Sequence, residues 1–172
     1  MEGTNALSGG MKPRRGLDYC YGMTDVKASP NRPLLTYRGA VYPAQCDHMG
    51  HMNVASYVAK FDEATWQLLN AIGLTPVRMR IDKLGMAGVE QHIEYKRELF
   101  PGDLVTVTSV VLEVRDKVIR FAHEMTKDDS GELAATMVVV AVHLDTSTRK
   151  ARVFPDDVRE RASSMIAAAG VR

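Results

Sequence analysis

One long helix followed by four consecutive strand patterns is the strongest constraint on how this chain folds. Between Asn53 and Gly73, the residues Val54, Tyr57, Val58, Phe61, Ala64, Thr65, Leu68, Leu69 and Ile72 fall at i, i+3, i+4, i+7 spacing. Ser56, Lys60, Glu63, Gln67 and Asn70 fall largely on the opposite face. Asn53 is placed to cap the start and Gly73 to stop the end. The spacing predicts a helix of about five turns, roughly 30 Å long.

Beyond Gly85 the pattern changes to strands. Gly88 to Leu99 is the first, and Pro101-Gly102-Asp103 forms the turn after it. Leu104 to Val114 is rich in Val and Thr, and Arg115-Asp116-Lys117 makes a charged connection. Val118 to Thr126 alternates, with Ile119, Phe121 and Met125 on one side and Arg120, Glu124 and Thr126 on the other. Asp128-Asp129-Ser130-Gly131 is a turn, and Leu133 to Leu144 is nearly all apolar. Ahead of the helix, Leu34 to Ala44 suits a strand, with Pro43 near its end. After the strands, Pro155-Asp156-Asp157 opens a short helix ending near Gly170, with Val158, Ala162, Met165, Ile166 and Ala169 as its buried stripe.

This order predicts an α+β fold, a long central helix wrapped by a curved antiparallel sheet of about five strands. The helix is too apolar to lie on a surface, so the sheet is expected to curl around it. Several strands are apolar on both faces, so a second copy is expected to cover a face or an edge, giving a homodimer or homotetramer. Residues 1–33 carry Gly9-Gly10, Pro13, Pro30 and Pro33 with no sustained period, and are read as a flexible N-terminal arm before a domain over 34–172.

The formal net charge of +1 gives no electrostatic case for long nucleic acid or for anionic membrane. No apolar run is long enough to span a bilayer, and no secretory leader is visible. Two cysteines, Cys20 and Cys46, make no disulfide framework. A cytoplasmic setting is expected.

Chemistry concentrates where the helix begins, in Asp47-His48-Met49-Gly50-His51-Met52-Asn53. A helix start offers unpaired backbone N–H groups and a partial positive charge. With Cys46 before it, Tyr57 and Asp62 after it, and the later Glu94-Tyr95 and Pro101-Gly102-Asp103, this stretch resembles the hotdog-fold acyl-CoA thioesterases of the 4-hydroxybenzoyl-CoA thioesterase type. The resemblance covers roughly residues 35–160. It implies a hotdog fold, hydrolysis of a small or medium acyl-CoA to free acid and CoA, and no metal or redox cofactor. Non-catalytic acyl-CoA-binding modules, dehydratases and acyl-carrier-protein thioesterases share the fold and are the alternatives.

The resemblance places Asp47 near the thioester carbonyl, as nucleophile or as general base toward water. It gives the Val54 backbone amide the role of oxyanion donor. Asn53 reads as a helix cap or as a contact to water or carbonyl, and His51 as a group that orients Asp47 or bonds across a dimer. Gly50 makes room for substrate at a tight turn. Tyr57 lies on the core face, and the strand residues Gly88, Gln91 and His92 are expected around an acyl pocket at a dimer interface, between the helix start and a partner strand such as Gly88 to Tyr95. Asp62 is read as a support or a solvated acid, and with Glu63 as the fallback to Asp47. Arg97, Arg115, Lys117, Arg149 and Lys150, at strand ends or turns, are the cations available to CoA phosphates. A metal site at Asp47, His48 and His51 lacks a completed ligand set. Cys46 reads as a small packed group, and Ser56 has no triad order around it.

Overall fold

The computed structural model describes residues 33–166. The expected arm lies outside them except for Pro33, as do Ala169 and Gly170. Strand β1 (Leu34–Ala40) leads through a 3-10 turn at Pro43–Gln45 to the long helix α1 (Val54–Ala71). A short helix α2 (Pro76–Ile81) follows, then β2 (Leu84–Tyr95), β3 (Leu104–Val114), β4 (Val118–Lys127) and β5 (Leu133–Asp145). A two-residue strand β6 (Lys150–Ala151) and helix α3 (Asp156–Ser164) close the described chain.

All strand pairings are antiparallel, in the order β1-β3-β4-β5-β2, with β6 added to β5. The five main strands curl around α1 in the hotdog arrangement that the resemblance implied. The register puts alternate residues inward: Val105, Val107 and Val111 from β3, Ile119, Phe121 and Met125 from β4, and Ala135, Met137, Val139 and Ala141 from β5. They meet Phe61, Ala64, Leu68 and Ile72 from the helix side. Each large side chain buried this way contributes about 1.5–3 kcal/mol.

Several boundaries differ from the sequence expectation. Strand β1 stops at Ala40, because Pro43 opens the 3-10 turn that Gln45 N–H closes on Tyr42 O. Strand β2 runs Leu84–Tyr95, four residues ahead of the expected Gly88–Leu99. Its start pairs with the far end of β5, and its end is set where Lys96 and Arg97 N–H both bond to Ala134 O. Helix α2 was absent from the expectation, although its signal is present: Thr75 caps Arg78 N–H and Pro76 occupies the first turn. Helix α3 ends at Ser164, and Ile166 is exposed beside Val111 rather than in a buried stripe.

Lys60 is the clearest correction. The helical pattern assigns it to the polar face, yet it is 1% exposed. Its Nζ donates to Tyr37 Oη at 2.8 Å and to Ala40 O at 3.1 Å. Strand β1 crosses α1 there and brings both acceptors, so the apolar stem packs while the amine is satisfied.

The core also holds a chain of polar groups. Thr36 Oγ1 lies 2.6 Å from Ser109 Oγ, Ser109 Oγ lies 2.5 Å from His123 Nδ1, and His123 Nε2 lies 3.0 Å from Thr65 Oγ1. A neutral imidazole has one donor and one acceptor, and this chain matches both. Burial pushes the His123 pKa down to about 4.

Candidate active site

The loop before α1 is folded on itself. Cys46 bridges Met52, Asp47 N–H bonds to His51 O at 3.1 Å, and Gly50 N–H bonds to Asp47 O at 3.0 Å. Gly50 has φ +83°, which favours glycine and lets the chain reverse within four residues. Two further bonds anchor the loop: Met52 N–H to Leu99 O at 2.7 Å and Asn53 N–H to Gln45 O at 2.9 Å.

This turn holds the Asp47 carboxylate from two sides. Met49 N–H donates to Oδ1 at 2.9 Å, and Asn53 Nδ2 donates to Oδ2 at 3.2 Å. The Met49 N–H is the main reason the Asp47 pKa sits below its ordinary value; partial burial opposes it, and Asn53, His51 and His48 lower it further. The group is therefore poised in its charged form.

Asn53 is the hinge of the site. Its Oδ1 accepts from Ala55 N–H at 2.8 Å, so the expected cap is present, and the same side chain donates to Asp47. Its main-chain oxygen accepts from Ser56 and Tyr57 N–H. Val54 N–H is left without a partner among the described residues. A carboxylate, a cap and a free helix-start donor thus sit within one linked set of contacts.

The other expected residues divide. The His51 side chain turns toward Glu98, with Nε2 3.6 Å from Oε1, and its ring makes no hydrogen bond to the Asp47 carboxylate. Tyr57 is buried, donates its hydroxyl to Arg97 O at 3.0 Å, and meets Tyr95 edge-on at 5.2 Å. Burial raises its pKa to about 12. With His51, Val54 and Tyr95 it lines an open cavity of about 220 Å³ at the helix start. Gly88 and Gln91 line a second cavity, of about 150 Å³, further along α1. His92 is outside both; it is exposed, with Nε2 3.8 Å from Glu94. Asp62 faces the second cavity and has no contact with Asp47.

A profile of the thioesterase-like superfamily matches residues 41–162. The chain belongs to that superfamily. It is 30% identical over 129 residues to an L-carnitine dehydrogenase/betainyl-CoA thioesterase of Agrobacterium fabrum, a match covering 75% of this chain and 26% of that protein. The chain thus spans about a quarter of the length of that longer relative. It is 26% identical over 117 residues to the long-chain acyl-CoA thioesterase of Escherichia coli, covering 67% of this chain and 87% of the relative. Among solved structures, a Staphylococcus aureus protein determined in complex with CoA superposes with TM-score 0.74 at 24% identity, covering 81% of this chain and 90% of the other. These similarities bear out a thioester hydrolase of the hotdog fold.

Within this superfamily member, the cations around the site differ from those expected. Arg97 lines the helix-start cavity, but Arg115 and Lys117 occupy the β3–β4 turn, Arg149 the β5–β6 turn and Lys150 the start of β6. Antiparallel strands put those turns at the opposite end of the sheet. Lys96 and Lys127 were missed: with Arg97 they line an open cavity of about 440 Å³ adjoining the site. The signal lay in their place at the end of β2 and of β4, which becomes visible only once the strand order is known. Among the described residues no group of His, Cys, Asp and Glu is arranged to hold a metal, and no helix is long and apolar enough to cross a membrane.

Proposed function

We propose that this protein hydrolyses a small or medium acyl-CoA to the free acid and CoA, with Asp47 as the reacting carboxylate. One observation carries the proposal: Asp47 is held in its charged form by Met49 N–H and Asn53, and Asn53 also caps the helix whose first N–H is free. In the reaction, Asp47 attacks the thioester carbon or takes a proton from the water that does. The developing oxyanion is met by Val54 N–H at the positive end of α1. Collapse of the tetrahedral intermediate expels the CoA thiolate, giving the free acid directly in the water route or, in the nucleophilic route, an Asp47 anhydride that water then hydrolyses to free acid and carboxylate. Asn53 keeps the carboxylate and the donor in fixed relation, and Gly50 leaves open space beside them, since nothing lies within 4 Å of where its Cβ would be.

CoA would approach across the cavity bearing Lys96, Arg97 and Lys127, where its phosphates would exchange for the present carboxylate partners Glu94, Glu132 and Asp103. A homodimer or homotetramer fits the open edge of β2, which exposes Val89 and Tyr95. Thiol release from an acyl-CoA panel, followed with DTNB, tests the proposal against a binding module without turnover. Asp47→Asn is expected to abolish release while leaving the fold intact. Turnover equal to the wild type in that variant would remove Asp47 from the mechanism. Carrier-protein-loaded substrates compared with CoA esters separate the acyl-carrier-protein alternative.

A further inference from the structure

Two cavities lie one after the other along α1. At the helix start, Tyr57 meets Tyr95 at the end of β2; further on, Leu69 shares a cavity with Met86 near the beginning of β2. Helix and strand therefore run in opposite directions, and the strip of surface between them passes from the first cavity, at Val54, to the second, at Leu69. An acyl group whose carbonyl sits at Val54 N–H would extend along it.

The chemistry of the far end is selective. Its apolar lining includes Trp66, Phe121, Met79 and Met137, and among the described residues Asp62 is the one titratable group facing it. None of its lining residues is basic, and Asp62 has no salt bridge or hydrogen bond among the described residues. Thr65, its neighbour in the lining, already bonds to Phe61 O and His123. A lone acid beside an indole and thioethers suits a cation: the carboxylate supplies opposite charge and the aromatic face adds a cation–π contact. Asp62 is exposed at the rim of this cavity, and a plain alkyl chain would pass it without offering its charge a partner.

Resting on the thioesterase reading, we infer that Asp62 is a specificity-determining residue that selects acyl groups carrying a cationic group at their distal end. Eight residues separate Val54 from Asp62, about 12 Å along the helix. Allowing for the side chain's lean toward the helix start, an extended chain at about 1.2 Å per bond reaches Asp62 after roughly eight bonds. A space of about 150 Å³ holds a group near the size of benzene, enough for an ammonium or trimethylammonium head.

The test compares 8-aminooctanoyl-CoA with octanoyl-CoA, in the wild type and in Asp62→Asn. The wild type is expected to favour the amino ester in kcat/KM by about tenfold, and D62N to bring the ratio near one. 3-Aminopropionyl-CoA, too short to reach, should show no dependence on Asp62. A ratio unchanged by D62N, or a wild-type preference for octanoyl-CoA, overturns the inference. Calorimetric binding of 8-aminooctanoate and octanoate gives a readout independent of turnover. If no CoA ester is hydrolysed, the thioesterase reading fails, yet a D62-dependent preference for the amino acid in binding still upholds the role of Asp62. Equal binding of both acids refutes it.

Discussion

Val54→Pro removes the proposed oxyanion donor and almost nothing else. Val54 is the first residue of α1, where the missing N–H of proline costs no intrahelical bond. The preceding residue must be extended, and Asn53 already has φ −66° and ψ 146°. The cap is retained, since it runs from Asn53 Oδ1 to Ala55 N–H. The valine side chain is 56% exposed, so its loss removes little burial. Stability should therefore change by less than about 0.5 kcal/mol, the usual range for surface substitutions. Loss of one oxyanion donor costs roughly 3–4 kcal/mol of barrier, a fall of about 10²–10³ in kcat. Val54→Ala keeps the N–H, loses the same side chain, and should hold kcat within a few-fold. Thiol release measures kcat and a thermal melt checks the fold. A Val54→Pro enzyme with normal melting and near wild-type kcat would refute the role given to this amide.

Three other outcomes follow from the same geometry. Asn53→Ser keeps a capping oxygen and loses the donor to Asp47, so melting should hold while the acid limb of the pH–rate profile moves up; Asn53→Ala should in addition lose about 1 kcal/mol in urea titration. Gly50→Ala forces a side chain into a φ of +83° and should cost about 1–2 kcal/mol, read from the urea midpoint. His123 is held at about 4 when folded against an ordinary 6.5, so the unfolded chain binds more protons between these values. Its contribution is complete above pH 6.5 and falls away toward pH 4, by about 3 kcal/mol in all. Urea midpoints across that window should drop in the wild type and drop less in His123→Gln.

The helix and the strand centres were legible because their signals are periodic and local. Asn53 and Gly73 bound α1 in sequence as in structure, and the inward set Ile119, Phe121 and Met125 follows strict alternation. Positions decided by a distant partner were not legible. Lys60 is buried because β1 supplies Tyr37 Oη and Ala40 O, residues twenty or more positions away in sequence. His123 sits inside because Thr65 and Ser109 meet both ring nitrogens. The split among the candidate cations depends on which end of the sheet each turn occupies, which alternation along one strand does not encode. In the site itself, Asp47, Gly50 and Asn53 were legible as a motif, but the double role of Asn53 required its side-chain amide to be placed between two partners.

That double role bears on how the chemistry is divided. The bonds from Met49 N–H and Asn53 lower the pKa of Asp47 and so keep it charged at neutral pH. They also make it a weaker base and a weaker nucleophile, because both capacities fall with pKa. A carboxylate held this way gains in readiness and position but loses intrinsic reactivity. The deficit must be met on the other side of the reacting carbon, where charge builds on the carbonyl oxygen. Among the described residues Val54 N–H at the helix start is a donor that is not already engaged, and the proposed donor and carboxylate are joined through one asparagine. Rate should therefore be more sensitive to Val54→Pro than to Asn53→Ser, since the first removes the charge-stabilising group and the second returns some basicity to Asp47. The reverse order in kcat would show that positioning of the carboxylate, rather than stabilisation of the oxyanion, limits this site.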